Sequence, residues 1–164
     1  MSDLLAKVKQ IFAVRFSLPE ILTIALVFCL DRVTKFIVSA YPLGYSKKIF
    51  NFFYITYIHN TGAAFGMGQN LNLLFTLIAF VLIAALFYYK EYIYSHGRAA
   101  RLALLFILGG ALGNLYDRVL HGMVIDFLDF RIWPVFNIAD SFISIGGVLL
   151  MWSMFFGCRK NEKN

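Results

Sequence analysis

The sequence predicts an all-α membrane protein with four transmembrane helices and a small extracytoplasmic β element between helices 1 and 2, all in a single membrane-embedded domain over residues 1–164. Three observations carry this prediction. Hydrophobic residues make up 60% and aromatic residues 18% of the 164, well above the apolar share of a soluble domain. Only 15% are charged, too few to cover a water-facing surface. Four apolar runs approach the ~20 residues that a helix needs to cross a hydrocarbon core.

The first run extends from Leu18 to Ala40 and is interrupted by Asp31, Arg32 and Lys35. It is too long and too charged for the apolar region of a cleaved signal peptide, and no A-x-A-like site follows it. After it, Phe50–His59 reads FNFFYITYIH. Its aromatic and β-branched content predicts a short sheet or hairpin at the interface. The following NTGAAFGMG is a small-residue turn that lets backbone approach a ligand. The second run, Leu71 to Tyr89, has no charge. The third, Ala100 to Tyr116, has Arg101 near its start, where a long side chain snorkels to the interface. The loop from Asp117 to Phe136 is broken by Gly122 and Pro134, and its apolar stretch Met123–Phe130 is expected to lie along the membrane surface. The fourth run, Ile138 to Phe156, has one charge, Asp140, in its first turn.

Orientation follows from the positive charges. The N-terminal tail (Lys7, Lys9, Arg15), the link with Lys90, Arg98 and Arg101, and the C-terminal tail (Arg159, Lys160, Lys163) hold most of them. The other two loops hold Lys47, Lys48, Arg118 and Arg131. The positive-inside rule puts both termini in the cytoplasm and the two long loops outside. The formal net charge of +6 does not point to nucleic acid, because the cations border apolar runs, where they meet anionic lipid. Cys29 and Cys158 lie at different depths and are not expected to pair. The histidines, His59, His96 and His121, lack the i, i+4 partner of a zinc helix, so neither metal nor cofactor is expected.

Ionisable groups in or beside apolar segments are costly and mark function or a pairing partner. Asp140, in FNIADSF, has a plain reading: Asn137 is a good N-cap, an acid three residues on resembles a capping box, and the helix dipole favours a carboxylate. Its functional reading is one half of an acid pair. Asp126, in MVIDFLDF, is flanked by apolar residues that disfavour its charged form. The rival reading is an interface residue facing water, and nothing local separates Asp126 from Asp129. Two nearby carboxyls share one proton, so one serves as base and the other as acid in attacking an amide with water. In GGALGNLYDR, Gly110 and Gly113 allow close helix approach, and Asn114 shares a face with Gly110, Asp117 and Arg118. Asp31 and Lys35, four apart, can neutralise each other.

Taken together, DRVTK (Asp31–Lys35), NTGAAF (Asn60–Phe65), GGALGNLYDR (Gly109–Arg118), VIDF (Val124–Phe127) and FNIAD (Phe136–Asp140) resemble the bacterial lipoprotein signal peptidases, the signal peptidase II family of membrane aspartic proteases. The blocks stand in the family's order and span nearly the whole chain. The resemblance implies that Asp126 and Asp140 are the catalytic dyad. It implies that Asn60, Gly110, Asn114, Arg118 and Asn137 line or support the substrate site, and that Asp31, Lys35 and Asp117 are structural. The substrate would be a diacylglyceryl-modified prolipoprotein, cut just before the lipidated cysteine, and the enzyme a target of globomycin-like antibiotics. A monomer in contact with membrane lipid is expected, in the bacterial inner membrane with its active site near the outer leaflet. The alternative is a small proton-coupled transporter, which would place acids near the midplane, usually in repeated halves.

Overall fold

The computed structural model describes residues 15–62 and 71–156. Residues 1–14 and 157–164, with Cys158, and residues 63–68 of the small-residue turn lie outside the described residues. Among the described residues, four long helices and one short one are joined by a three-stranded sheet. In chain order these are α1 (Leu18–Ser39), β1 (Ser46–Phe50), β2 (Phe53–Asn60), α2 (Asn72–Tyr88), α3 (Lys90–Ser95), α4 (Arg98–His121), β3 (Val124–Asp129) and α5 (Ile138–Phe156).

α1 opens at Ser17, whose backbone N–H donates to Glu20 Oε2 at 2.8 Å, with Pro19 in the first turn. α4 is the hub, packing against α1, α2 and α5. Small residues permit this. A methyl group at Gly110 would meet the Ala139 carbonyl oxygen of α5 at 2.5 Å, and one at Gly113 would meet Asp31 Oδ2 of α1 at 2.7 Å. α4 ends at Gly122, whose φ of 72° is the left-handed cap favoured by glycine.

Polarity is inverted relative to a soluble protein. Phe36, Val81, Trp152 and Phe155 point outward and are exposed. Asp31, Lys35, Asn114, Asp117, Asp126 and Asn137 are buried at the centre. An apolar shell around a polar interior is the arrangement expected of a protein solvated by lipid. α4 and α5 have the length and apolarity to cross a membrane. α2 is apolar but only 17 residues long, and α1 carries its charges on the buried side.

Two expectations are corrected. The third helix does not end at Tyr116 but continues to His121, because the charge of Asp117 is met by Arg32 and Lys35 of α1. The Met123–Phe130 stretch, read as part of a loop, holds a strand instead. Val124–Asp129 forms β3, antiparallel to β2 with Asn60 opposite Val124 and Ile58 opposite Asp126, giving the order β1-β2-β3. The backbone N–H and C=O groups of so apolar a segment need partners, and the hairpin's free edge supplies them. The α3 turn at Lys90–Ser95 was not foreseen.

Candidate active site

The polar centre lies where β2, β3 and the first turn of α5 meet the last third of α4. Each element delivers one or two side chains. Asn60 is the last residue of β2 and Asp126 lies on β3, on the diagonal of an antiparallel pair where neighbouring side chains touch. Asn60 Nδ2 donates to Asp126 Oδ2 at 2.8 Å, while its Oδ1 accepts the Gly62 N–H at 2.9 Å. The other Asp126 oxygen, Oδ1, accepts from Asn137 Nδ2 at 2.7 Å.

Asn137 precedes α5, and its Oδ1 accepts the Asp140 backbone N–H at 2.9 Å while its own N–H reaches Asp140 Oδ2 at 3.3 Å. This is the reciprocal capping box legible in FNIAD. The same asparagine therefore starts the helix that carries one acid and binds the other. Asn114, buried on α4, closes the ring: its Nδ2 donates to Asp140 Oδ1 at 2.7 Å, and its Oδ1 accepts from Asn137 Nδ2 at 3.0 Å. Asp126 and Asp140, fourteen residues apart in number, are thus held through one pair of amides.

Asp126 is 1% exposed. Burial, followed by the charge of Asp140, pushes its carboxyl up to about 7, against the lowering effect of the bonds from Asn60 and Asn137. Such a group holds a proton for much of the time at neutral pH. Two neighbouring carboxyls, one buried and one partly buried, with donors already aimed at their oxygens can divide acid and base roles between them.

Beneath this ring lies a second buried cluster. Lys35 Nζ stands 3.0 Å from Asp31 Oδ2 and 2.8 Å from Asp117 Oδ2. Arg32 binds both carboxylates and the Gly113 carbonyl oxygen, and its guanidinium lies over the Tyr116 ring. The simple Asp31–Lys35 pair expected from spacing is therefore half of a balanced group of four charges. Arg32 was the residue missed; its position beside Asp31 in DRVTK was the only signal. Asp31 also has a task invisible in sequence, because its Oδ1 accepts the Ala139 N–H at 3.1 Å and so ties α1 to the first turn of α5.

The remaining candidates fall as follows. Gly110 stands at the contact with Ala139, one residue before Asp140. The Arg118 guanidinium lies over the Phe75 ring at 5.6 Å, with Asp140 and Asp126 in the reach of its charge. Asp129 is directed elsewhere: its oxygens accept from Thr56 Oγ1 at 2.7 Å and the Arg131 N–H at 2.9 Å. Three positions apart on a strand means opposite faces, so only one of the two acids of VIDFLD reaches Asp140.

Residues 23–156 match the family model described as signal peptidase (SPase) II. The chain is 43% identical over 139 residues to the lipoprotein signal peptidase of Caldanaerobacter subterraneus subsp. tengcongensis, covering 83% of this chain and 95% of that one. To the lipoprotein signal peptidase of Alteromonas mediterranea it is 43% identical over 150 residues, covering 85% and 82%. A solved structure described as a bacterial membrane enzyme matches with a TM-score of 0.77 at 34% identity, over 89% of this chain and 93% of that one.

Proposed function

The chain belongs to the signal peptidase II family, and from that premise we propose that it is an aspartic endopeptidase that removes the signal peptide from diacylglyceryl-modified prolipoproteins, cutting just before the lipidated cysteine. One observation carries the assignment of residues: Asn137 and Asn114 bind Asp126 and Asp140 and bind each other.

Asp126, with its carboxyl pushed up to about 7, holds the dyad's shared proton and is the acid. Asp140, on the first turn of α5 with the Asn114 amide and the Asn137 backbone N–H donating to its two oxygens, is the base. Asp140 takes a proton from water as the oxygen attacks the scissile carbonyl, and Asp126 protonates the carbonyl oxygen. As the gem-diol intermediate collapses, its C–N bond breaks, the leaving amine takes the proton held by Asp140, and one gem-diol hydroxyl returns its proton to Asp126 as the carboxyl product forms, which restores the starting state. Asn60, Asn114 and Asn137 orient the two carboxyls. Gly110 brings α5 close enough for Asp140 to join them, and Arg118 offers positive charge to substrate. The Arg32–Lys35–Asp31–Asp117 group supports the layer from below.

All four long helices span the membrane, α1 by turning its charges inward and α2 with help from flanking turns. The chain lies in the bacterial inner membrane as a monomer in contact with lipid, with cytoplasmic termini. The dyad sits near the outer leaflet, where the diacylglyceryl chains can stay in the bilayer while the signal helix packs beside α4 and α5. The transporter alternative needs acids at the midplane. Here one acid is on the sheet and the other at the end of a helix. Purified protein in detergent, given a diacylglyceryl-cysteine peptide and its unlipidated counterpart, tests the reading. Cleavage before the modified cysteine alone is expected. Cleavage of neither peptide would end it.

A further inference from the structure

Lys35 is 1% exposed on α1, and its ammonium has three N–H bonds and three acceptors. Two are the carboxylates of Asp117 (2.8 Å) and Asp31 (3.0 Å), and with Arg32 these balance the charge of the cluster. The third is Asn114 Oδ1, at 2.9 Å. Charge balance does not require this bond, yet it leads straight into the ring that holds the two acids.

An ammonium only donates, so the end of the Asn114 amide facing Lys35 must be oxygen. That oxygen takes a second bond from Asn137 Nδ2 at 3.0 Å. With the oxygen claimed from two sides, the NH2 is turned toward Asp140 Oδ1 at 2.7 Å. The reversed amide would press NH2 against the ammonium and face Asp140 with an oxygen. Neither donor can reverse: an ammonium only donates, and Asn137 must present its NH2 because its own oxygen accepts the Asp140 backbone N–H at 2.9 Å. Lys35 is the charged and therefore the stronger of the two.

We propose that Lys35 is a positioning residue for peptide-bond cleavage: its buried ammonium sets the sense of the Asn114 amide and thereby holds Asp140 in place. The inference rests on the peptidase reading and adds to the structural role that spacing suggests.

The test is a mutant cycle on the full chain in detergent, in an Asp117→Asn background so that loss of Lys35 leaves Asp31 and Arg32 balanced. Lys35→Met, Asn114→Ala and their combination are compared with that background in kcat and KM on a diacylglyceryl-cysteine peptide, and in thermal unfolding. Lys35→Met is expected to fold and to lower kcat by roughly 100-fold, the scale of an ångström's displacement of a reacting group, with KM within about twofold. Once Asn114 is alanine, Lys35→Met should lower kcat no further. Unchanged kcat in folded Lys35→Met would overturn the proposal, as would an equal fold-loss with and without Asn114. Failure to fold, in this background and alone, would make Lys35 a folding residue and overturn it too. An inactive wild-type chain would sink the peptidase reading, a result distinct from any of these.

Discussion

Asn137 Nδ2 lies 2.7 Å from Asp126 Oδ1, while Asn137 Oδ1 accepts the backbone N–H of Asp140. One short side chain thus caps a helix and joins that helix's acid to a strand's acid. An N-cap alone contributes about 1 kcal/mol and would tolerate serine or aspartate. Here either replacement would lose the amide N–H that reaches Asp126, so stability and activity should separate at this position.

Asp126→Asn and Asp140→Asn are expected to lower kcat by at least roughly 10²–10⁴-fold, the range of general acid–base catalysis, with the protein still folded. Asp129→Asn should stay within a few-fold of wild type, because its partners are Thr56 and the backbone and guanidinium of Arg131. Turnover of a lipidated peptide by all three variants decides it. An inactive Asp129→Asn beside an active Asp126→Asn would reverse the assignment.

The pH dependence follows from Asp126, pushed up to about 7. Its protonated form is the acid, so kcat/KM should fall as pH rises through about 7 and approach a tenfold loss per unit above it. A rate profile that stays flat to pH 9 would remove Asp126 from the acid role.

The same shift bears on stability. A carboxyl titrating near 4 when unfolded and at about 7 when folded favours the fold while protonated. That stability is fully present below about pH 4 and is lost as pH rises toward and through about 7. Asp126→Asn has no such loss. Its stability relative to wild type should therefore climb by on the order of a few kcal/mol between about pH 4 and 7 and then level, read as a rising difference in melting temperature. Parallel melting curves across this range would contradict the burial argument.

Gly110→Ala should cost roughly 1–3 kcal/mol, the usual penalty of overpacking, because its Cβ would meet the Ala139 carbonyl oxygen at 2.5 Å. Pushing Ala139 also moves Asp140, so kcat should drop with stability. Gly147→Ala, with nothing within 4 Å of the new methyl, is expected to be neutral or slightly stabilising. Melting curves and turnover of the two variants check both statements.

Topology can be read from fusions. Reporters placed at Tyr45 and Arg131 should both behave as extracytoplasmic, since β1–β2 and β3 form one sheet. Opposite behaviour at the two sites is incompatible with that sheet.

Sequence alone determined the class, the long helices and the family, since these depend on local apolar content, caps and five short blocks. The capping box of FNIAD and the strand character of FNFFYITYIH lie within a few consecutive residues and were legible for that reason. What only the tertiary structure decided was pairing across distance. β3 finds β2 about seventy positions back, so VIDFLD could not be recognised as a third strand, nor Asp126 told from Asp129 by its own neighbours. Arg32 looked like a stray charge until α4 brought Asp117 to it. Asp31 and Lys35, adjacent on one helix turn, appeared self-sufficient, yet they reach Ala139 and Asn114 on other helices. In a lipid-solvated core every buried donor and acceptor must find a partner inside the protein, and that demand is met by whichever group the packing brings near, not by the nearest group in sequence.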